Sequence, residues 1–380
     1  VRDPRRALAA AARSGDGVVE LHPGTWLVTD PATTDRLLAS RHALPARVEQ
    51  GAATTSWGVD GLQRWMAARR AMRPWLTPSA AARFAPAISA HARSAVVRWA
   101  SAADIDVMSE GSGLLSTVNT HYILGRPSPT LTRLVGEELS AAERARPPLL
   151  RRRRLLRAQL ATLTTVHDHL RTEVPPADLV AALADAGLDE RTTALAVRTM
   201  LLSSHHVPAA ALAWALHELS SRPDLQEQLR GETTAQRDPG GTDLPLCRAV
   251  VREALRLHPP VWQLRRVLDA PVLDFPAGAE LLFSPHINQR DRAAHPDPDR
   301  FDPHRRHPDS HPPPGAYLPF ALGPRFCPGS HLAIAELVVV IATVLDTHVV
   351  VPHHAPAPAR GTLNAPRGLR LTFLPHRPHR

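Results

Sequence analysis

One stretch constrains this chain more than any other. Phe320-Ala321-Leu322-Gly323-Pro324-Arg325-Phe326-Cys327-Pro328-Gly329 is a Gly- and Pro-rich loop around a cysteine, and an almost wholly apolar run from His331 to Leu345 follows it. Gly323 and Gly329 allow tight turning and close backbone approach. Pro324 and Pro328 stiffen the same turn. The apolar run suits a buried helix, which puts Cys327 just before a helix N-terminus, where the dipole and free N–H groups favour a thiolate. The only other cysteine, Cys247, lies on a helical stretch and reads as core.

A thiolate held this way and aimed at a flat cofactor suits a haem iron. The pattern Phe-x-x-Gly-x-Arg-x-Cys-x-Gly resembles the haem-binding loop of the cytochrome P-450 family, with Ala321 standing where that family usually has Gly or Ser. By that resemblance Cys327 is the metal ligand, and Phe320, Gly323, Arg325 and Gly329 complete the cofactor-binding loop.

Other stretches match the family in its order. From about Gly61 a helix carries Trp65 and Arg69, four apart on one face. An indole N–H and a guanidinium so placed suit a carboxylate; in isolation the same pattern fits an amphipathic helix with a buried Trp. The resemblance makes the pair donors to a haem propionate. Glu253 and Arg256 share a face of a helix over Leu244–Leu257, and Pro298-Asp299-Arg300-Phe301 follows. The resemblance joins Glu253, Arg256 and Arg300 into a buried triad bracing the cysteine loop. It also assigns a propionate to Arg266, with Arg265 as the alternative. Buried propionates need several partners, since an unpaired buried charge is costly.

The longest helical stretch, Glu190–Ser221, contains Leu202-Ser203-Ser204-His205-His206-Val207-Pro208. It resembles the family's central helix, whose usual core is Ala-Gly-x-acid-Thr. Here Ser203 and Ser204 replace the small pair, His206 stands at the acid position and Val207 replaces the alcohol. Pro208 removes a helical N–H and predicts a kink. Ser204, His205 and His206 are therefore the candidate catalytic residues. Three readings stay open: a histidine titrating near neutrality is a substitute proton donor, the substrate brings its own hydroxyl, or the chemistry is coupling, desaturation or rearrangement.

Helices are also expected at Asp3–Ser14, Asp30–Ser40, Pro78–Ala100, Ser109–Leu124, Leu131–Ala145 and Asp178–Ala186. A hairpin is expected over Val18–Thr29 around His22-Pro23-Gly24, and a terminal strand at Leu369–Leu374. Residues 41–59 read as a long loop that the resemblance places over the substrate. Residues 304–314 read as a solvated His/Pro loop rather than a metal site. The Arg run 151–154 reads as a solvated face, or as a dock for an acidic partner or a carrier-linked anionic substrate.

The bulk composition narrows the class. The formal net charge is +9 with every basic residue Arg and no Lys, which reflects a GC-rich genome more than nucleic-acid binding. Two cysteines give no disulfide framework and suit a reducing cytosol, so a cytoplasmic location is expected. No membrane segment is expected: Leu8–Ala12 is too short, and the run after Cys327 carries Glu336. The chain opens with Val1, compatible with an alternative start codon, a trimmed chain or an excised domain.

The expectation is thus a mainly α cytochrome P-450 fold, triangular, with small β-sheets, as one domain over residues 1–380. It would bind haem b and oxidise a small organic molecule, tailoring a natural product in a bacterium. A separate ferredoxin-type protein would supply electrons, since the chain has no flavin or iron–sulfur motif. A degenerate member serving as a binding module is the reading from another class.

Overall fold

The computed structural model describes residues 4–13, 15–45, 61–143, 148–172, 178–236, 242–305, 312–357 and 363–376. Most of the expected substrate loop at 41–59 lies outside these, as does the middle of the His/Pro loop at 304–314. In chain order the helices are α1 (Pro4–Ala12), α2 (Pro31–Ala39), α3 (Gly61–Met72), α4 (Pro78–Ala100), α5 (Val107–Leu124), α6 (Pro129–Glu143) and α7 (Pro148–Leu170). Then follow α8 (Asp178–Asp185), α9 (Glu190–Ser203), α10 (His206–Ser220), α11 (Pro223–Ala235), α12 (Pro245–Leu257), α13 (Pro285–Asn288) and α14 (Ser330–Thr347). The strands are β1 (Val18–His22), β2 (Thr25–Val28), β3 (Ala43–Pro45), β4 (Ile105–Asp106), β5 (Leu264–Leu268), β6 (Glu280–Phe283), β7 (His348–His354) and β8 (Arg370–Pro375). The fold class is mainly α with two small sheets, as the sequence indicates.

The described residues form two compact units. The first comprises residues 1–50, 245–327 and 357–367. Its sheet runs β1-β2-β6-β5-β3, antiparallel except for the parallel β2–β6 pair. The hairpin forms where the His22-Pro23-Gly24 signal puts it. Asp30 caps α2, its carboxylate accepting from the Thr33 N–H at 2.7 Å, with Pro31 pre-set at the first helical position. One sheet face and α2 enclose a core that includes Val28, Leu37, Leu264, Leu268, Leu281 and Phe283.

The second unit comprises residues 51–244, 328–356 and 368–380, with helices α3–α11 and α14 and the sheet β4-β8-β7. Helix α14 is long and apolar enough to cross a membrane, but most of it is buried here, packed along α4, α10 and α11. Helix α7 carries Arg152, Arg153 and Arg154, all exposed, as a solvated face requires. Neither the body of α7 nor α11 is foreseen from the sequence, although Pro223 at the first position of α11 is an ordinary start signal.

The expected single helix over 190–221 is two helices, interrupted at Ser204 and His205. The cause is Pro208. It has no N–H for the carbonyl four residues back, and its ring crowds that carbonyl, which belongs to Ser204. The Ser204 oxygen accepts instead from Asn119 of α5 at 3.5 Å, a weak replacement.

Candidate functional site

The cysteine loop is a preformed turn. The Cys327 N–H donates to the Phe320 carbonyl at 2.9 Å, and the Phe326 N–H to the Gly323 carbonyl at 3.0 Å. Residues 323–325 make one 3₁₀ turn. Gly323 has φ +67, and a Cβ built there would sit 2.3 Å from the Leu38 carbonyl oxygen. No other residue type lets the loop lie this close to α2. Ala321 also has positive φ, +59, a conformation that an L-residue adopts at a cost and that Gly adopts freely. The departure from the family pattern thus falls where backbone geometry favours the usual glycine. Phe320 and Phe326 approach edge to face at 6.3 Å, and Cys327 is half-buried.

Strand pairing sets the cations of this unit. Along β5 the burial alternates, so Leu264, Arg266 and Leu268 lie inward and Arg265 and Val267 do not. Arg266 is 5 % exposed, whereas Arg265 pairs with Glu280 at 3.3 Å. This alternation favours Arg266 over Arg265 as the buried cation. Arg266 pairs with Pro45 of β3, and Arg325 donates from Nε to the carbonyl of Ala43 on the same strand, at 3.3 Å. The sheet thereby gathers two guanidiniums that are scattered in sequence.

The brace beside the loop differs in one partner from the expected triad. Arg256 is wholly buried and its donors are accounted for. Nε and Nη2 meet the Glu253 carboxylate at 2.8 and 2.9 Å. Nη1 meets the carbonyls of Gln289 and Pro298, and Nη2 also that of Arg300. Glu253 accepts further from the Asp302 N–H at 3.0 Å and from Arg305 Nε at 3.3 Å. Arg305, not Arg300, is therefore the second guanidinium. Arg300 is exposed and contributes only its carbonyl, because the chain after Phe301 turns through residues 303–305 and aims Arg305 back at Glu253.

In the second unit Trp65 and Arg69 share a half-buried face of α3, and Trp65 packs on the core around Ala68, Met72 and Leu195. Gly329 precedes α14, and an added Cβ there would meet no atom of the described residues within 4 Å. Ser204 and His205 occupy the helix break, and His206 opens α10. The two imidazoles stack at 4.7 Å. His205 is buried and its Nδ1 has no hydrogen-bond partner among the described residues; burial first, then the neighbouring His206, pushes its pKa down to about 4. Enclosure of its ring thus keeps His205 uncharged near neutrality, which disfavours it, of the two histidines, as the substitute proton donor in the first of the three readings. A Cβ on Gly136 of α6 would come 3.1 Å from its Nε2.

Two buried groups had no sequence signal. Arg198 of α9 and Glu138 of α6 form a closed ion pair, 1 % and 3 % exposed. Glu336 of α14 is fully buried, its Oε1 without a hydrogen-bond partner among the described residues, and desolvation raises its pKa to about 8 against a hydrogen bond from Asn119. Among the described residues no cluster of three or more His, Cys, Asp and Glu could hold a metal ion.

The donor set fits a haem. It offers one thiol in a rigid turn, buried and half-buried guanidiniums for propionates, and a glycine facing open space where a Cβ could stand. Comparison with known proteins points the same way. The sequence model of the family described as Cytochrome P450 matches residues 160–369, more than half of the chain. The human mitochondrial 25-hydroxyvitamin D-1 alpha hydroxylase is 35 % identical over 198 residues, covering 47 % of this chain and 39 % of that one. Cyclooctat-9-en-7-ol 5-monooxygenase of Streptomyces melanosporofaciens is 28 % identical over 314 residues, covering 73 % and 68 %. The chain thus spans well under half of the human relative and about two thirds of the bacterial one. A six-coordinated cytochrome P450 from Thermus thermophilus superposes with a TM-score of 0.81 over 98 % of both chains at 23 % identity, which is a likeness of fold.

Proposed function

Because the chain belongs to the cytochrome P450 family, we propose that it is a haem-thiolate oxidoreductase acting as a monooxygenase on a small organic molecule. The observation that carries this is the half-buried Cys327 in a turn fixed by its own N–H and by Gly323 against α2. The cofactor would be haem b, with Cys327 on the iron. Arg266 and Arg325 would neutralise propionates, and Trp65 and Arg69 are the remaining donors for them. When bound, the haem supplies reductive activation of dioxygen, favoured by electron donation from the thiolate. The Glu253–Arg256–Arg305 brace holds the segment before the loop, so that the thiol keeps its direction.

The reading extends to a bacterial enzyme tailoring a natural product in the cytoplasm, with electrons from a ferredoxin-type protein. The Streptomyces relative, named for oxidation of cyclooctat-9-en-7-ol, supports an apolar substrate of that size class. A carrier-linked substrate would suit the exposed arginines of α7. The reduced, carbon monoxide-bound absorption spectrum tests the core of the proposal. A red-shifted Soret band in the wild type, lost in Cys327→Ala, is expected; a spectrum indifferent to Cys327 overturns it.

One observation favours a second reading, oxidation without plain hydroxylation. The acid–alcohol pair is replaced by His206 and Val207, and the adjacent His205 is an uncharged imidazole at neutral pH. A proton must then come from His206, the substrate or water. Product mass decides: incorporation of an oxygen atom from dioxygen excludes the second reading for that substrate.

A further inference from the structure

A cavity of about 300 Å³ is lined by none of the residues given a role above. It opens between residues 73–76, the start of α4, the end of α5 and the start of α8, and is lined by Trp75, Arg83, Phe84, His121, Tyr122 and Leu179, among others. Half of its lining residues carry rings, and these are fixed. Phe84 meets His121 edge to face at 5.1 Å and Tyr122 at 4.8 Å. Phe84 and Tyr122 both pack on Ala81, Leu332 and Ala335. The Tyr122 hydroxyl donates to the Trp75 carbonyl, so its polar end is already used.

Two polar groups remain. Arg83 is exposed and makes no hydrogen bond or ion pair with any described residue. His121 holds His91 through its Nδ1 at 3.0 Å, which leaves Nε2 as its second nitrogen. In the tautomer in which His91 Nε2–H donates to His121 Nδ1, His121 carries its own proton on Nε2, which is then a donor. Burial lowers the pKa of both rings, and for His91 the neighbouring His121 adds to it. The pair is therefore uncharged at neutral pH, and Arg83 supplies the positive charge.

Ring walls around one planar guanidinium select a flat molecule with an anionic end. The volume equals about ten water molecules at ~30 Å³ each, the size of one or two fused rings. We propose that this cavity is a second binding site, for a planar aromatic carboxylate, with the rings among Trp75, Phe84 and Tyr122 and the carboxylate on Arg83 and His121 Nε2. The site is independent of the haem reading, since none of its residues serves that cofactor.

The test is calorimetric titration of the haem-loaded protein with 2-naphthoate, with the Soret band followed in parallel. One equivalent binds at millimolar concentration or below, without a Soret change. Arg83→Gln weakens binding about tenfold, the size of one lost charge-assisted contact. Arg83 is exposed, so this variant keeps the fold. Neutral 2-naphthamide binds correspondingly weaker to the wild type and is indifferent to the substitution. Absence of binding, equal affinity in Arg83→Gln, or binding that moves the Soret band and is displaced by an azole haem ligand each overturns the assignment. These results leave the carbon monoxide spectrum untouched, so failure here is distinct from failure of the haem reading.

Discussion

Two glycines six residues apart in the cysteine loop should respond oppositely to the same change. Gly323 has φ +67, and an added Cβ would stand 2.3 Å from the Leu38 carbonyl oxygen and 2.8 Å from Ala39 Cα. Ala in that conformation costs ~1–2 kcal/mol. Relieving contacts this short means moving the 323–325 turn off α2, an overpacking cost of ~1–3 kcal/mol. Reduced freedom of the unfolded chain returns ~0.4–1 kcal/mol. Gly323→Ala should therefore lose about 1–5 kcal/mol, visible as a lower urea midpoint at unchanged slope. Gly329 has ordinary φ −84 and, among the described residues, nothing within 4 Å of an added Cβ. Gly329→Ala should leave the haem-free protein within about 0.5 kcal/mol of wild type, yet weaken haem retention, because the open space is where the cofactor would approach. If Gly323→Ala unfolds at the wild-type midpoint, the close packing of this turn on α2 is refuted. If Gly329→Ala retains haem as wild type does, that glycine does not face the cofactor.

Ala321→Gly relieves the positive φ at the cost of chain entropy, and a net gain of about 0.5–1 kcal/mol is expected in the same unfolding assay. Glu253→Ala strands the fully buried Arg256 and should cost about 3–5 kcal/mol. Arg305→Ala should cost about 1–3 kcal/mol and Arg300→Ala less than about 0.5, an order that distinguishes Arg305 as the partner of Glu253. Glu336 is protonated in the folded protein up to about pH 8, against an ordinary value of 4.5. Below 4.5 both states hold the proton; between 4.5 and 8 only the folded state does, so stability falls as pH rises through that window. Glu336→Gln should flatten this decline and exceed the wild type at pH 8 by several kcal/mol, roughly 5 at most; parallel pH profiles would refute a neutral buried acid. Pro208→Ala restores an N–H for the Ser204 carbonyl and should add helical circular dichroism; no gain would mean that the break has another cause.

Much of the first unit is legible because its signals are local. The Asp30 cap, the His22-Pro23-Gly24 turn and the loop glycines act within a few residues of themselves, and the structure follows them. Helix α14 is legible for a different reason, since a run that apolar has few destinations other than a core. The long helix departs from expectation at one point. Pro208 signals a kink in a continuous helix, but its effect lands four residues upstream, where Asn119 stands ready to take the freed carbonyl.

The sequence by itself determined the cysteine turn, the buried helix after it and the family, because those rest on residue types at fixed short spacings. Only the tertiary structure decided which arginines serve where. Arg266 and Arg265 are adjacent and chemically equal, and strand alternation alone buries one of them. Arg300 stands in the expected motif, yet a turn at residues 303–305 sends Arg305 to Glu253. The enclosure of His205, the closed Glu138–Arg198 pair and the raised pKa of Glu336 arise from what packs around each group. Desolvation and partner geometry belong to contacts distant in sequence, and no local pattern encodes them.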